Sequence, residues 1–269
     1  MNKNMQAIIK QRHNLKAKLR NRQRVFAGWT SLSNPSIAEI FARSGIDFVG
    51  IDIEHSTISQ EQSQRIIAAC QGNGTLCLPR VASHNKEMIK QLLDSGADGV
   101  ILPMVNTPEE TEKFISHCKY PPLGKRSFGI ARAQGYGFDF DDYIKNWNAS
   151  SSLIAQIESI QGVENIDKIL SFEEIDGAMI GPYDLSASLG IPGQLDHPRA
   201  IDAIKKVIAA CAKYGKACGT HIIEPSQKSV SKAFFDGCTF VVLASDVFLL
   251  WKWSEKMSKI INKLKSIKS

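Results

Sequence analysis

Eight short, mostly apolar runs recur along the chain and are separated by segments predicted to be helices. The runs cover residues 25–29, 46–53, 76–81, 99–103, 153–158, 177–181, 217–222 and 240–244. An alternation of strands and helices predicts an α/β fold with a parallel sheet, because a helix must return the chain between parallel strands. Eight such units, without a change of composition between the halves, predict a single (β/α)8 TIM barrel over residues 1–269.

A doubly wound open sheet is the rival architecture for the same alternation. Such sheets usually carry a glycine-rich phosphate-binding turn after an early strand. The sequence contains no G-x-G-x-x-G pattern and no Walker pattern. The barrel is therefore favoured.

The net charge of +6 is concentrated at the two ends of the chain. Residues 3–24 contain many basic side chains and no acid, and residues 252–268 contain Glu255 as their single acid. Such segments could bind nucleic acid or a membrane surface. The alternative is two solvated basic helices, over residues 1–22 and 252–269, whose apolar faces pack on the barrel. We favour the second and expect no nucleic-acid or membrane partner, because the middle of the chain lacks interleaved basic and aromatic residues.

The cysteines and the apolar segments indicate a cytoplasmic protein. The six cysteines form no C-x-x-C pair, which argues against a disulfide framework or a zinc site and fits a reducing compartment. No segment approaches the roughly 18 apolar residues of a membrane span, and the first residues lack the apolar core of a signal peptide.

Polar residues stand where several predicted strands end. In a TIM barrel the carboxyl ends of the strands meet on one face, which carries the active site. The residues delivered there are Asp52 and His55 after the second strand, Arg80 at the third, Gln156 and Glu158 at the fifth, and Asp184 after the sixth.

Each of these residue types suits a catalytic task and also has a structural explanation. Glu158 and Asp184 could hold a cation such as Mg²⁺, or they could be an ion-paired or capping residue and a helix N-cap; spacing does not decide. His55 could be a general base or a structural imidazole. Arg80 could grip a substrate carboxylate or form a salt bridge across the barrel mouth. Asp94, in a predicted helix, could pair with a base or be a surface charge.

Two other kinds of chemistry lack candidates. No lysine lies inside an apolar strand, so a Schiff-base mechanism is not expected. No serine stands in a G-x-S-x-G nucleophile elbow. The long insertion over residues 120–148 is instead typical of a lid or binding loop.

Six motifs in this order resemble the HpcH/HpaI aldolase family of the phosphoenolpyruvate/pyruvate barrel superfamily, over about residues 25–220. They are GIDIEHS at 50–56, PRV at 79–81, LDSGADGV at 93–100, KYPPLGKRS at 119–127, QIE at 156–158 and IGPYDLS at 180–186. The resemblance implies a divalent cation (Mg²⁺, Mn²⁺ or Co²⁺) held by Glu158 and Asp184. It implies that His55 is the acid/base residue and Asp94 its orienting partner.

The resemblance also implies how the substrate is held. Asp52 would lie near waters on the cation, and Arg80 would hold pyruvate and stabilise its enolate. Gln156, Gly181 and Pro182 would line the pyruvate pocket. Arg126 lies in a matching motif without a clear role.

The function implied is a metal-dependent aldolase that makes or cleaves a 2-oxo-4-hydroxy acid, with pyruvate or a related 2-oxo acid and an aldehyde as fragments. An acyl-CoA carbon–carbon lyase and a non-catalytic barrel that binds a partner through its basic ends are the alternatives. A homo-oligomer, and specifically a hexamer, is implied by the family. Tyr183 departs from the family pattern. Neither residues 131–148 nor the segment after strand seven indicates a substrate subgroup, so the identity of the aldehyde stays open.

Overall fold

The computed structural model of the protein describes residues 3–267. Eight parallel strands form a closed barrel in chain order, and β8 pairs with β1 through Val25 and Phe240. The strands are β1 (Val25–Thr30), β2 (Phe48–Asp52), β3 (Leu76–Arg80), β4 (Gly99–Leu102), β5 (Ser152–Ile157), β6 (Gly177–Ile180), β7 (Ala217–Ile222) and β8 (Phe240–Leu243). The predicted (β/α)8 barrel is confirmed.

The connecting segments are helical. The α-helices are α1 (Lys3–Arg20), α2 (Pro35–Ala42), α3 (Gln60–Gly72), α4 (Lys86–Asp94), α5 (Pro108–Cys118), α6 (Phe140–Ser150), α7 (Ile160–Glu164), α8 (Ile166–Leu170), α9 (Pro182–Ser188), α10 (Pro198–Lys213), α11 (Gln227–Phe235) and α12 (Asp246–Ser266). A 3-10 helix spans Arg132–Gly137. Several begin with a side-chain cap, such as Thr107 at the start of α5.

Alternate residues of the strands point into the barrel and fill it with apolar side chains. Phe48, Leu78, Ile154 and Met179 belong to this interior cluster, which is separate from the larger cluster that includes residues of the surrounding helices. Gly50 is an interior position without a side chain, and a Cβ there would overlap the indole ring of Trp29. The glycine therefore lets the Trp29 ring lie against β2.

The basic N-terminal helix packs against the amino ends of the strands. Leu15 and Leu19 of α1 join the interior cluster. Arg12 forms an ion pair of 2.7 Å with Asp98, which lies between α4 and β4. Lys16 forms an ion pair of 2.7 Å with Asp176, which lies between α8 and β6. The expectation of a solvated basic face is wrong for these two residues, because both cations are buried by their acidic partners.

The insertion is not a lid along its whole length. Its second half forms α6, whose Tyr143 and Trp147 are fully buried. The guanidinium of Arg12 lies over both rings, at 5.3 Å from Tyr143 and 5.1 Å from Trp147. The expectation of a lid is therefore wrong for α6, because its aromatic face packs on α1. Phe128 and Ile130, in the first half, are exposed.

The C-terminal helix α12 is long and carries many exposed apolar side chains. They are Val247, Leu249, Leu250, Trp251, Trp253, Ile260, Ile261 and Leu264. The helix contacts β1 of the barrel. Over residues 3–267, no helix has the length and apolar character needed to cross a membrane.

Candidate active site

The structure brings the polar strand ends together at the carboxyl face of the barrel. Asp52 ends β2 and Arg80 ends β3, and the two residues are register partners on neighbouring strands. Gln156 lies near the end of β5, and Glu158 is the first residue after that strand. All four side chains are buried, so this face holds charged groups with little access to water.

Arg80 is clamped by two carboxylates. Its Nε donates to Asp52 Oδ1 at 3.2 Å and its Nη2 donates to Asp52 Oδ2 at 2.8 Å. Its Nη1 lies 3.2 Å from Glu54 Oε2. The guanidinium also stands 5.3 Å from the ring centroid of Trp29, within cation–π range. Arg80 is thus held rigidly, and only two of its five N–H groups are used by Asp52.

Asp52 organises this corner of the site. Besides Arg80, it accepts a hydrogen bond from the backbone N–H of His55 at 3.0 Å and one from Trp29 Nε1 at 3.4 Å. The resemblance implied that Asp52 lies near water molecules bound to a cation. The contacts of Asp52 in the structure are to Arg80, Trp29 and the backbone.

Glu158 is a buried carboxylate whose charge is disfavoured. It accepts hydrogen bonds from the Met104 backbone N–H at 3.0 Å and from Gln156 Nε2 at 2.6 Å. Burial, together with the negative charges of Glu54 and Asp184, raises the pKa of Glu158 to about 7. Gly181 allows this position, since a Cβ there would overlap the carboxylate. A cation beside Glu158 would remove the electrostatic cost of its ionisation.

Asp184 lies in the first turn of α9 and is exposed. The alternative that Asp184 is a helix N-cap is wrong, because Gly181 is the N-cap of α9. The alternative that Glu158 caps a helix is also wrong, because Ser159 is the N-cap of α7. Among residues 3–267 no group of three or more metal-binding side chains occurs. Glu158 and Asp184 fit a Mg²⁺-type site, which often uses one or two carboxylates and leaves positions open to water and substrate.

His55 is exposed, and its Nε2 lies 3.7 Å from Glu54 Oε2. The predicted partnership between His55 and Asp94 is not formed in this structure. Asp94 instead accepts a hydrogen bond of 2.8 Å from Arg126 Nη2. Asp94 is the last residue of α4, and barrel helices end near the amino ends of the strands, far from the face that carries His55.

Arg126, the motif residue without an assigned role, is part of the packing of the insertion. It is buried, donates to the Tyr143 hydroxyl at 3.0 Å and lies over the rings of Tyr120 and Trp147. Together with Asp94 it ties the insertion to α4. These contacts give both residues a structural task.

Three residues of the site were not assigned from the sequence. Glu54 stands in the motif at residues 50–56 without an assigned role, and its position between Arg80 and His55 now provides one. Burial raises the pKa of Glu54, although Arg80 opposes the shift. Trp29 and His221 occupy the interior face of β1 and β7, and their rings are 5.6 Å apart. Counting alternate positions back from the strand ends could have found both.

Comparisons with known proteins show the family to which the chain belongs. The family model described as HpcH/HpaI aldolase/citrate lyase matches residues 26–252. A 2-keto-3-deoxy-L-rhamnonate aldolase of Salmonella typhi is 36% identical over 253 residues, which are 93% of this chain and 92% of that protein. A hydroxypyruvate/pyruvate aldolase of Roseobacter denitrificans is 35% identical over 237 residues, covering 87% of this chain and 91% of that one.

A solved structure shares the fold. A HpcH/HpaI aldolase/citrate lyase family protein from Burkholderia cenocepacia superposes with a TM-score of 0.87 at 27% identity, over 93% of this chain and 99% of that chain. The family match and the two aldolases each span most of the chain. The chain therefore belongs to the HpcH/HpaI aldolase/citrate lyase family and is an aldolase within it.

Proposed function

We propose that this aldolase makes or cleaves a 2-oxo-4-hydroxy acid through a pyruvate enolate, with a divalent cation (Mg²⁺, Mn²⁺ or Co²⁺) held by Glu158 and Asp184. The family is one of metal-dependent class II aldolases. The observation that carries the proposal is the buried Glu158 carboxylate, whose pKa is raised to about 7 beside two further carboxylates. Such a carboxylate is suited to binding a cation, because its burial and the neighbouring negative charges both oppose its ionisation when no cation is present.

A bound cation would supply the Lewis acid that stabilises negative charge on the keto oxygen of pyruvate. The protein's own residues would do the rest. Arg80, oriented by Asp52 and Glu54, would bind pyruvate and place a second positive charge beside the developing enolate. Gln156 would orient Glu158 through its 2.6 Å hydrogen bond. Gly181 and Pro182 would form the wall of the pyruvate pocket beside Glu158.

His55 would move the proton. In cleavage it would take the proton from the hydroxyl at C4, after which the C3–C4 bond breaks to an aldehyde and the enolate. Its exposure allows exchange with solvent, and Glu54 at 3.7 Å would stabilise the protonated ring. The assignment of Asp94 as the orienting partner of His55 stays a prediction, and in this structure Asp94 accepts a hydrogen bond from Arg126.

A covalent Schiff base has no candidate near these groups. The buried lysines of residues 3–267 are Lys16, Lys119 and Lys216. Lys16 and Lys119 both donate to the backbone oxygen of Ser151, which precedes β5, and Lys216 precedes β7. All three therefore lie at the amino ends of the strands, opposite the proposed site. Burial lowers the pKa of Lys119 to about 7, yet its position removes it from this chemistry.

The test is release of pyruvate from a 2-oxo-4-hydroxy acid before and after removal of metal ions. Activity should disappear after exhaustive chelation and return with Mg²⁺, Mn²⁺ or Co²⁺, because the added cation supplies the positive charge that stabilises the enolate. The same assay with an acyl-CoA substrate tests the alternative lyase. Full activity without any divalent cation would contradict the proposed mechanism.

We further propose a cytoplasmic homo-oligomer of a single barrel domain over residues 1–269, specifically a hexamer, acting on small molecules without a nucleic-acid or membrane partner. The exposed apolar side chains of α12 support association. The six cysteines are all free and buried, which supports a reducing compartment.

A further inference from the structure

Met104, in the segment between β4 and α5, has a strained backbone. Its φ angle is +50°, in the left-handed region that residues with a side chain seldom adopt. In this conformation its backbone N–H donates to Oε2 of Glu158 at 3.0 Å. Strain of this kind persists only where neighbouring groups hold it, and it is concentrated at functional positions. The neighbours of Met104 therefore bear on the carboxylate of Glu158.

The Met104 N–H is half of the support of that carboxylate. Over residues 3–267 two groups donate to Glu158, the Met104 N–H to Oε2 and Gln156 Nε2 to Oε1, the second at 2.6 Å. A carboxylate has about four lone-pair positions shared between its oxygens. Positions on both oxygens are thus left for a cation, and the two donors fix the direction in which these positions point.

Asn106 holds this turn through its side-chain amide. Its Nδ2 donates to the Met104 carbonyl oxygen at 2.9 Å, and its Oδ1 accepts from the hydroxyl of Ser159, the N-cap of α7. The backbone of Asn106 is held as well: its N–H donates to Glu110 Oε2 at 2.7 Å, and its carbonyl accepts from Asn165 Nδ2 at 2.8 Å. Every polar group of the residue therefore has a partner.

These bonds join the segment after β4, which supplies the donor, to the segment after β5, which supplies the carboxylate. Val105 adds to the connection, because its N–H donates to the carbonyl oxygen of Gln156 at 3.1 Å. Gly162 of α7 lies against the same segment, and a Cβ there would come within 2.6 Å of the Val105 carbonyl oxygen. The Met104 turn is therefore held by β5 and α7, and Asn106 is the side chain that connects it to α7.

We propose that Asn106 is a positioning residue of this aldolase, which holds the Met104 peptide so that its N–H orients the Glu158 carboxylate for the cation. The inference rests on the cation site proposed above and adds a residue that sets the affinity of that site. Without the bond from Asn106, Met104 would relax to a negative φ, and its N–H would turn away from Oε2. Asn106 thus acts on the cation through Met104 and Glu158, without binding it.

The test is the affinity of the protein for Mn²⁺ without substrate, measured from the paramagnetic resonance of the free ion. Asn106→Ala should weaken binding about tenfold, as is typical when a residue that supports a metal ligand is lost. The same change in a Met104→Gly background should cost no more than about threefold, because glycine adopts a positive φ without a steric penalty. This rescue separates positioning of the peptide from a general loss of stability.

Asn73→Ala is the matched control. The Asn73 amide donates to the Ala69 carbonyl oxygen, also at 2.9 Å, but it lies at the end of α3, near the amino ends of the strands. Its Mn²⁺ affinity should equal that of the wild type. An unchanged affinity in Asn106→Ala, or an equal loss in the wild-type and Met104→Gly backgrounds, overturns the role of Asn106.

Asn106→Asp covers the case in which the alanine variant does not fold. Aspartate keeps the size of the side chain and the acceptor for Ser159, and it replaces only the donor to Met104. Its added negative charge by itself favours a nearby cation, so the weaker Mn²⁺ binding that we expect comes from the lost donor. An affinity equal to or above that of the wild type overturns the inference.

Glu158→Gln separates this inference from the proposal on which it rests. If Glu158→Gln loses Mn²⁺ binding and Asn106→Ala retains the wild-type affinity, the role of Asn106 alone is overturned. If the wild type binds no Mn²⁺, or if Glu158→Gln binds it as the wild type does, the cation site and this inference are overturned together.

Discussion

The carboxylate of Glu158 carries a charge that its surroundings disfavour. We expect Glu158→Gln to weaken binding of Mn²⁺ by at least about tenfold, because the side chain keeps its shape and loses the negative charge that would hold a cation. Titration calorimetry or paramagnetic resonance of free Mn²⁺ measures the affinity directly.

Glu164→Gln provides the control. It makes the same chemical change outside the site, since Glu164 is exposed at the end of α7. Its Mn²⁺ affinity should equal that of the wild type. An equal affinity in Glu158→Gln as well would remove Glu158 from the cation site.

Single residues of the site differ in how far the sequence could place them. Asp52 and Arg80 were found from the sequence because a charged group at the end of an apolar strand is costly without a partner. A salt bridge of Arg80 was one of the two alternatives, and the structure forms it with Asp52; the partner was not foreseen, since the residues that face each other on neighbouring strands are known only once the register is known. Asp94 shows the opposite case. Its motif matched, but its contact with Arg126 depends on the path of the insertion.

At the scale of elements, the strands were predicted well and the short helices poorly. Helix α11 has no buried residue, and its inward face consists of the half-buried Val230, Ala233 and Phe234, which is a short pattern from which to recognise a helix. The segment between β5 and β6 contains two helices, α7 and α8, of five residues each. The turn between them is made at Asn165, a residue that favours such breaks.

The N-terminal helix is an element in which two basic residues, Arg12 and Lys16, were expected to be solvated and are buried. Arg12 is almost fully buried and bonds Asp98, which also accepts from the backbone N–H of Cys77 at 2.8 Å. We expect Arg12→Ala to lower the free energy of unfolding by about 3 kcal/mol, because it leaves a buried carboxylate without its counter-ion. Urea unfolding followed by circular dichroism measures this change.

Lys10→Ala on the same helix removes an exposed cation and should change the free energy of unfolding by less than about 0.5 kcal/mol. Similar values for both variants would mean that the ion pair with Asp98 adds little to stability. They would also return α1 to the role of a solvated basic helix.

At the scale of the whole molecule, the two ends of the barrel have separate tasks. The amino ends of the strands are covered by α1 and its ion pairs, and the carboxyl ends hold the proposed chemistry. The face that carries the proposed chemistry could be predicted from the sequence, because TIM barrels place their active sites at the carboxyl ends of the strands. The association of several chains could not, since an exposed apolar helix face names no partner by itself.

The proposed oligomer predicts the effect of a charge on α12. Trp253 is 61% exposed, and Trp253→Asp should reduce the particle mass in light scattering, because a buried charge opposes association of apolar faces. Ser254→Asp adds the same charge at the neighbouring exposed position and should disturb the mass less. A wild type with the mass of one chain would contradict the homo-oligomer.

The close approach of Trp29 to β2, which Gly50 permits, has an optical consequence. The indole touches three parts of the site: it lies under the Arg80 guanidinium, donates to Asp52 and stands beside His221. Its emission therefore depends on the charges and solvent at the barrel mouth. The difference between the fluorescence of wild type and Trp29→Phe isolates this ring from the other three tryptophans. The chain thus contains its own fluorophore for following cation and substrate entry in real time, without a label.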